Sequence, residues 1–284
     1  MRLRLLTLNV QGGEGDAQRQ DVLNDQLRQL EPDLLALQEV LPPSGDEHGQ
    51  LDRLLASTGL RGTHQAATMA YAPPFSDRYG GSAIACRWPY RIVEVFDPRV
   101  AEAPDGPWCT LAARVQLPDL PEALFIAYTG AWRLDAEAAR ERQALALTDL
   151  DIRHRTQLPT LIAGDFNADV DAASVRYLTG RQSLTGRSVH YLDAWEIAGA
   201  GSGHTWTTEN PAARAEIKQV VGQAEHHRRL DYVLIGSKHA HPGAYCNVLR
   251  AELAFTNPVG DVIPSDHYGL LVEVDVGLNA EDGG

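Results

Sequence analysis

LIAGDFN, the sequence of residues 161–167, joins a short apolar run to a polar segment. Leu161–Gly164 predicts a buried β-strand, because the run is short, apolar and closed by polar residues. Asp165 and Asn167 follow at the strand's end, and side chains two residues apart point to the same side. A carboxylate that orients water and an amide that donates to a phosphate oxygen suit phosphoryl chemistry. For the pair alone, an Asx turn that closes the strand is an alternative.

Polar side chains interrupt or border other apolar strands in the same way. Glu39 lies in the apolar segment 34–40, where burial of a carboxylate is costly unless a hard cation or a basic side chain compensates its charge. Asn9 intrudes on the first apolar strand of the chain. Asp231 stands at the entry to a late apolar strand, where it either orients a histidine or forms a salt bridge with a neighbouring arginine.

The segment Ser265-Asp266-His267 precedes one more largely apolar run, residues 268–274. An adjacent aspartate and histidine can supply a metal ligand and a group that binds phosphate or handles protons. The dipeptide alone is equally compatible with an ordinary loop.

Composition limits the class of substrate and the cellular setting. The 284 residues include 38 acidic and 25 basic residues, for a net charge of −13, whereas proteins that hold long polyanions usually present a basic face. Extended nucleic acid is therefore disfavoured. The three cysteines lack the spacing of a disulfide framework or a zinc site. No signal-peptide pattern or apolar stretch of membrane-spanning length is present, so we expect a cytoplasmic protein.

Apolar periodicity predicts one domain over residues 1–277, with a frayed tail over residues 278–284. Helices are predicted at residues 21–30, 51–57 and 136–152. Four runs predict successive strands of one antiparallel meander, at residues 82–86, 91–96, 110–116 and 124–129. Prolines and glycines predict a surface loop at 71–81. The polar segment 211–227 has no clear period and is interpreted as a long excursion without regular structure.

The order of these pieces resembles the endonuclease/exonuclease/phosphatase superfamily. The resemblance covers nearly the whole chain and rests on Asn9, Gln38-Glu39, Gly81-Ser82-Ala83-Ile84 with Arg87 and Pro89, Gly164-Asp165-Phe166-Asn167, Arg229-Leu230-Asp231-Tyr232 and Ser265-Asp266-His267. It implies an α/β (α+β) fold, a four-layer sandwich of two packed mixed β-sheets flanked by helices. In that fold the site lies at the end of the sandwich where the polar strand ends converge.

The resemblance also implies a metal-dependent reaction. Glu39 matches the principal Mg²⁺ ligand, and Asn9 and Asp266 match supporting ligands or groups just outside the coordination sphere. Mn²⁺ is an expected substitute for Mg²⁺. The implied reaction is in-line attack of water on phosphorus, without a covalent enzyme intermediate.

Four further positions carry catalytic roles by the same resemblance. Asp165 matches the residue that aligns or activates water, and Asn167 matches a donor to the phosphate. His267 matches the histidine that binds phosphate or handles protons, and Asp231 matches the residue that orients it.

One position departs from the family pattern. Members commonly have Thr-His-Leu at the end of a central strand, and the histidine contacts the phosphate, whereas residues 127–130 here read Ala-Tyr-Thr-Gly. Tyr128 is expected in its place, because abasic-site endonucleases of the family carry a tyrosine after alanine there and a phenol can donate a hydrogen bond. Two alternatives remain: the alignment shifts by one to Thr129, or Tyr128 is a packing residue.

Four residues resemble positions on the substrate side of the family: Trp132, Arg133, His204 and Trp206. An arginine can clamp a phosphate, and a tryptophan can stack on a base or sugar. Alternatively, the tryptophans belong to the core, and Arg133 pairs with a nearby carboxylate.

The superfamily includes many activities, so the resemblance does not fix the substrate. Because of the acidity, we expect a phosphorylated small molecule or a short nucleotide as the substrate of a phosphodiesterase or phosphatase. A DNA endonuclease of the abasic-site or general type is the alternative, supported by Tyr128 and opposed by the net charge. A non-catalytic binding domain with a degenerate site is an alternative of another class, suggested by the altered Thr-His-Leu motif.

Overall fold

The computed structural model describes residues 1–13, 17–43, 49–68, 80–104, 106 and 108–279. In this part of the chain, two six-stranded mixed β-sheets pack face to face, and helices cover the outer face of each sheet. The predicted fold class is therefore confirmed. Most of the loop predicted at 71–81 lies outside the described residues.

The first sheet contains both ends of the described chain. Its strands are β1 (Arg2–Asn9), β2 (Leu34–Val40), β3 (Arg61–His64), β4 (Gly81–Cys86), β13 (Ala244–Ala254) and β14 (Gly269–Leu278). They lie in the order β13-β14-β1-β2-β4-β3, with β1 and β2 parallel. The helices α1 (Ala17–Leu30) and α2 (Gln50–Leu55) supply leucines to the outer face of this sheet.

The second sheet comes from the middle of the chain. Its strands are β5 (Tyr90–Phe96), β6 (Thr110–Val115), β7 (Ala123–Thr129), β8 (Leu161–Asp165), β9 (Tyr191–Asp193) and β12 (Asp231–Gly236). They lie in the order β5-β6-β7-β8-β12-β9, with β7 and β8 parallel. The helices α3 (Glu137–His154) and α4 (Ala173–Leu178) cover its outer face, and α5 (Ala194–Ala198) follows β9.

Alternate side chains along each strand point to opposite faces of the sheet. One set packs in the core between the sheets, and the other set packs in the outer core beneath the helices. In β1, Leu3 and Leu5 belong to the core between the sheets, whereas Leu6 and Leu8 pack against α1 and α2. In β8, Leu161 and Ala163 face the other sheet in the same way. This alternation determines which polar groups face the interior of the sandwich where each strand ends.

The predicted four-strand meander is wrong in its first member. Gly81–Cys86, as β4, pairs with β2 and β3 in the first sheet, whereas β5, β6 and β7 form an antiparallel meander in the second. The chain crosses between the sheets at Arg87, whose guanidinium donates to Asp33 Oδ1 at 2.7 Å beside the start of β2. Apolar alternation reports a strand and its buried face, but it does not report the sheet to which the strand belongs.

The expectation of irregular structure over 211–227 is also wrong. Residues Pro211–Val220 form helix α6, and a two-stranded hairpin of β10 (Trp206–Thr207) and β11 (His227–Arg228) flanks it. Asn210 accepts a hydrogen bond from the Ala212 amide at 3.0 Å, and proline follows at the first helical position. An asparagine cap followed by proline is a start signal that the sequence contained.

The structure describes only Leu278 and Asn279 of the predicted tail, residues 278–284. Leu278 ends β14, and the Asn279 amide donates to Gly243 O at 3.0 Å. Residues 280–284 lie outside the described residues. Among the helices described, none has the length and apolar character that crossing a membrane requires.

Candidate active site

Three polar side chains continue the inward-facing rows of the two sheets at one end of the sandwich. Asn9 follows Leu3 and Leu5 on the inner face of β1, and Asp165 follows Leu161 and Ala163 on that of β8. Asp231 occupies the corresponding position of β12 and pairs with Asp165 across the antiparallel ladder. Asn9 Nδ2 donates to Asp165 Oδ2 at 3.4 Å, which links the two sheets directly.

Glu39 reaches the same cleft through a break in the pleat. Strict alternation would turn its side chain outward with Leu35 and Leu37. Glu39 instead has φ of 60°, and the pairing of β2 with β4 shifts register between Leu37 and Val40. This bulge redirects the carboxylate, which bonds to the side chain of Asn9 and interacts with the charges of Asp266 and His267.

Two buried side chains, those of Asn210 and Ser265, hold Asp266 and His267 in place. Asn210 Nδ2 donates to Ser265 O and Asp266 O at 2.9 and 3.0 Å. Ser265 Oγ donates to Asn9 O at 2.6 Å and so fastens the loop to β1. The role of Asn210 as loop anchor, unlike its role as helix cap, has no signal in the local sequence.

Thr205 supports the opposite wall of the cleft. Its hydroxyl oxygen accepts hydrogen bonds from the amides of Leu230 and Asp231 at 3.0 and 3.2 Å, and its carbonyl accepts from the Tyr268 amide at 2.8 Å. One buried threonine therefore fixes the backbone at Asp231 and at Tyr268, the residue that follows His267.

Asp231 and His267 form a buried, hydrogen-bonded pair. His267 Nδ1 lies 2.9 Å from Asp231 Oδ2, while Asp231 Oδ1 has no hydrogen-bond partner among the described residues. Burial opposes protonation of the imidazole, but the charges of Asp231, Asp165 and Asp266 outweigh it and raise the pKa of His267 well above its usual value. Ligand atoms of Asp165, Asp231 and His267 all lie within 4.8 Å of one another.

The remaining carboxylates are crowded and incompletely neutralised. Burial, followed by the charge of Asp266, raises the pKa of Glu39 from 4.5 to about 8, although the hydrogen bond from Asn9 opposes the shift. Burial, followed by the charge of Asp231, raises the pKa of Asp165 from 3.8 to about 7. The cleft therefore disfavours its own negative charges in the absence of a further cation.

The GDFN segment needs both its glycine and its asparagine for local reasons. A Cβ atom at Gly164 would lie 1.9 Å from Tyr128 O on the neighbouring strand, so a side chain there would force β7 and β8 apart. Asn167 has φ of 51°, its amide donates to Asp165 Oδ1 at 2.9 Å, and its Nδ2 donates to Gly130 O at 3.2 Å. The Asx turn that Asp165 forms with the Asn167 amide therefore also places the Asn167 side chain beside Asp165.

Tyr128 and Thr129 face opposite sides of β7. Tyr128 packs in the outer core under α3, with its ring centroid 4.7 Å from that of Phe166. The hydroxyl of Tyr128 forms no hydrogen bond with any residue that the structure describes. Thr129 faces inward, and its Oγ1 lies 3.2 Å from Ser82 Oγ. The sequence left open whether Tyr128 packs in the core and whether the alignment shifts by one residue to Thr129. The outward side chain of Tyr128 and the inward side chain of Thr129 favour both of these alternatives.

Two of the expected substrate-side residues line a surface pocket at the end of β7. The pocket is bordered by Trp108, Thr129, Gly130, Trp132, Arg133 and Gln143. Trp132 is 46% exposed, so an indole face is available to a ligand. The guanidinium of Arg133 lies on the exposed surface, with Nε 3.3 Å from Asp135 Oδ1.

The other two expected substrate-side residues are placed differently. Trp206 is only 7% exposed and packs against Ala213, Ile217 and Leu230, so its placement favours the core role that the sequence left as the alternative. His204 is half-buried, and its ring stacks on that of His227 with the centroids 5.4 Å apart. His204 remains close to the cleft, because the next residue, Thr205, bonds to the Asp231 amide.

Comparisons with known proteins give the same fold and the family. The family model described as the endonuclease/exonuclease/phosphatase family matches residues 6–267. The chain belongs to the endonuclease/exonuclease/phosphatase family. All the polar groups of the cleft, from Asn9 to His267, lie within the matched range.

Solved structures of family members superpose over almost the whole chain. Truncated Caenorhabditis elegans TDP2 has a TM-score of 0.68 at 16% identity, covering 96% of this chain and 98% of that chain. D. rerio TDP2 complexed with single strand DNA product has a TM-score of 0.69 at 18% identity, covering 96% and 99%. The endonuclease/exonuclease/phosphatase from Bacteroides vulgatus has a TM-score of 0.66 at 17% identity, covering 98% and 100%. A search of curated proteins gave no match. At these identities, the likeness establishes the fold of this endonuclease/exonuclease/phosphatase family member and leaves its substrate open.

Proposed function

We propose that this protein is an Mg²⁺-dependent hydrolase of phosphate esters that acts by in-line attack of water on phosphorus. The observation that carries the proposal is the meeting of Glu39, Asp165, Asp231 and Asp266 around one imidazole at the open end of the sandwich. So many carboxylates in a partly buried cleft destabilise the fold unless they bind a cation. Membership of the family supports a phosphoesterase.

The oxygen donors on one side of the cleft fit a hard cation. Glu39, Asn9 and Asp266 offer carboxylate and amide oxygens, which are the ligands that Mg²⁺ prefers. Burial and the charge of Asp266 raise the pKa of Glu39, and the hydrogen bond from Asn9 and the charge of His267 offset the shift only in part. His267 is a poorer ligand, because Nδ1 is engaged by Asp231 and the surrounding carboxylates favour the protonated ring. A bound Mg²⁺ supplies charge stabilisation to the phosphate and to the leaving oxygen. Mn²⁺ has the same ligand preference and is the expected substitute.

The residues on the other side of the cleft suit the handling of water and phosphate. Asp165 is fixed by the Asn167 amide and by Asn9, so its free lone pairs can orient the attacking water. The imidazolium of His267, oriented by Asp231, can donate from Nε2 to a phosphate oxygen. Asn167 adds a neutral donor next to Asp165.

The net charge supports a small substrate over a polymer. With a net charge of −13, the protein has little means to release counterions from a long phosphate chain. A phosphorylated small molecule or a short nucleotide needs only the local donors of the cleft. We therefore propose a phosphodiesterase or phosphatase acting on substrates of that size.

A nuclease is the second candidate, and the exposed Trp132 favours it. An indole face in a pocket next to Gly130 can stack on an unpaired base. One structural neighbour, D. rerio TDP2, was solved with a single strand DNA product. Cleavage of single-stranded oligonucleotides with a steep dependence on salt, together with slow turnover of small esters, would favour this candidate.

The decisive test is a panel of p-nitrophenyl phosphomonoesters and phosphodiesters with Mg²⁺ or Mn²⁺, run beside a chelator. We expect turnover that the chelator abolishes and that Glu39→Gln abolishes without loss of the fold. Asp165→Asn and His267→Ala should each lower kcat/KM by about a hundredfold or more. Glu122→Gln, at the opposite end of β7, is the matched control. Full turnover in chelator or by Glu39→Gln would refute the metal assignment, and no turnover on any ester would favour a non-catalytic binding domain.

A further inference from the structure

Arg228 lies beside the cleft, and its guanidinium has no hydrogen-bond partner in the part of the chain that the structure describes. Among the described residues, its nearest carboxylate oxygen is Asp169 Oδ2, 3.9 Å from Nε and beyond hydrogen-bond distance. The side chain is 15% exposed, so most of it is buried while solvent still reaches it. Burial, opposed by Asp169 and reinforced by Arg140, lowers the pKa of Arg228 from its usual value. Its positive charge is therefore incompletely compensated by the protein.

The neighbouring arginines do not share this state. Arg229 donates to both oxygens of Asp193 at 2.9 and 2.8 Å. Arg140 donates to the carbonyls of Ala131 and Arg133 and to Glu137. Buried guanidinium groups in folded proteins are normally saturated in this way, because an unsatisfied charged donor is costly. Arg228 stands apart from both of its neighbours and needs a different explanation.

The position of Arg228 is next to the catalytic groups but not among them. It ends β11, three residues before Asp231, and lies near the segment that continues from Asp165. The charges that act on it most strongly are those of Asp169 and Arg140, with Asp165 contributing less. A group bound there would lie beside the scissile phosphate, on the Asp169 side.

We propose that Arg228 binds a second anionic group of the substrate, a phosphate separate from the one that is hydrolysed. This inference rests on the proposed hydrolase function and names its substrate class: esters with two phosphate groups on one small scaffold. A guanidinium with free donors forms paired hydrogen bonds with phosphate oxygens. Asp169 is too distant to accept a hydrogen bond from the guanidinium of Arg228. Its carboxylate is still close enough to offset part of the positive charge of Arg228 when no ligand is bound.

The test compares two chromogenic substrates that differ by one phosphate. Thymidine 5′-(p-nitrophenyl phosphate) carries only the scissile group, and its 3′-phosphorylated derivative carries the second anion. Wild-type protein should prefer the derivative in kcat/KM by about tenfold or more, the value of one charge-assisted hydrogen bond. Arg228→Gln should remove that preference, Arg228→Lys should retain part of it, and Asp169→Asn should increase it. Arg91→Gln, an exposed arginine at the far end of the second sheet, should leave the preference intact.

A binding measurement keeps this inference separate from the proposed function. Calorimetric titration with thymidine 3′,5′-bisphosphate and thymidine 5′-monophosphate should show the same preference and the same response to Arg228→Gln. If turnover is absent but this binding preference is present, the second-anion site stands and the hydrolase proposal fails. The inference is overturned if wild-type protein does not distinguish the two ligands. It is also overturned if Arg228→Gln weakens both equally, because the guanidinium would then contact the scissile phosphate or serve only the fold.

Discussion

Replacing Glu39 by glutamine should stabilise the metal-free protein at alkaline pH, although it removes the proposed metal ligand. The pKa of this carboxyl is 4.5 in its ordinary setting and about 8 in the metal-free fold, raised by burial and then by Asp266. Between these values, the folded state holds a proton that the unfolded chain has released. The free energy of unfolding therefore falls as the pH rises through this window.

The size of the effect follows from the same two pKa values. Each pH unit in the window costs about 1.4 kcal/mol, so full ionisation of Glu39 costs at most about 5 kcal/mol. The carboxyl keeps some exposure, and solvent screening reduces the cost to about 2–4 kcal/mol. Glutamine is neutral and of similar shape, so the variant escapes this cost. The gain of the variant should be near zero at pH 4.5 and fully present above pH 8.

Urea denaturation followed by tryptophan fluorescence measures this difference across the pH range. In chelator, the stability difference between Glu39→Gln and wild type should grow with pH, whereas Glu122→Gln should show no such growth. Excess Mg²⁺ should reverse the order, because the cation stabilises only the protein that retains the carboxylate. A variant that is less stable than wild type in chelator at pH 8.5 would refute the view that Glu39 carries uncompensated charge.

Three further predictions concern single side chains. Tyr128→Phe should leave kcat/KM unchanged, because the ring packs under α3; a loss of about tenfold or more would restore the phosphate-donor role. Asp193→Ala should lower the free energy of unfolding by about 3–5 kcal/mol in urea titrations, because it strands the buried Arg229; a loss below about 1 kcal/mol would contradict this. His64 is hydrogen-bonded at both ring nitrogens, and burial lowers its pKa. The free energy of unfolding of the wild type should therefore fall relative to that of His64→Gln as the pH falls below 6.5. If the free energies of the two proteins change in parallel with pH, this prediction is refuted.

The groups that could be predicted from sequence are those that obey the period of two. Asn9, Asp165 and Asp231 each continue an apolar inward row, so the strand pattern alone gives both their burial and their direction. Glu39 reaches the same cleft although the alternation along β2 would point its side chain outward. The strand has a bulge there, and Glu39 has a positive φ. The family resemblance named it, whereas alternation would have placed it on the outer face.

The parts that could not be predicted depend on contacts between distant segments. The sheet that contains β4 is set by pairing with β2, which lies more than forty residues earlier in the chain. Thr205 and Asn210 matter because they bond to Asp231 and to the loop at Ser265, and neither has a local signal for that role. Helix α6 is different, since the Asn-Pro start and the spacing of Ala213 and Ile217 were readable. The apolar pattern of this helix is weak, because most of its other residues are polar or alanine and Val220 is exposed.

The cleft exists only when the two sheets are packed together. Asn9 and Glu39 come from the first sheet, Asp165 and Asp231 come from the second, and Ser265 ties the closing loop to the first. Packing the sheets therefore buries these carboxylates, and that burial is the largest cause of the raised pKa values of Glu39 and Asp165. The apolar core between the sheets must supply the compensating stability. A cation held by Glu39, Asn9 and Asp266 would offset part of the cost of burying these carboxylates, so metal binding should raise the stability of the folded protein.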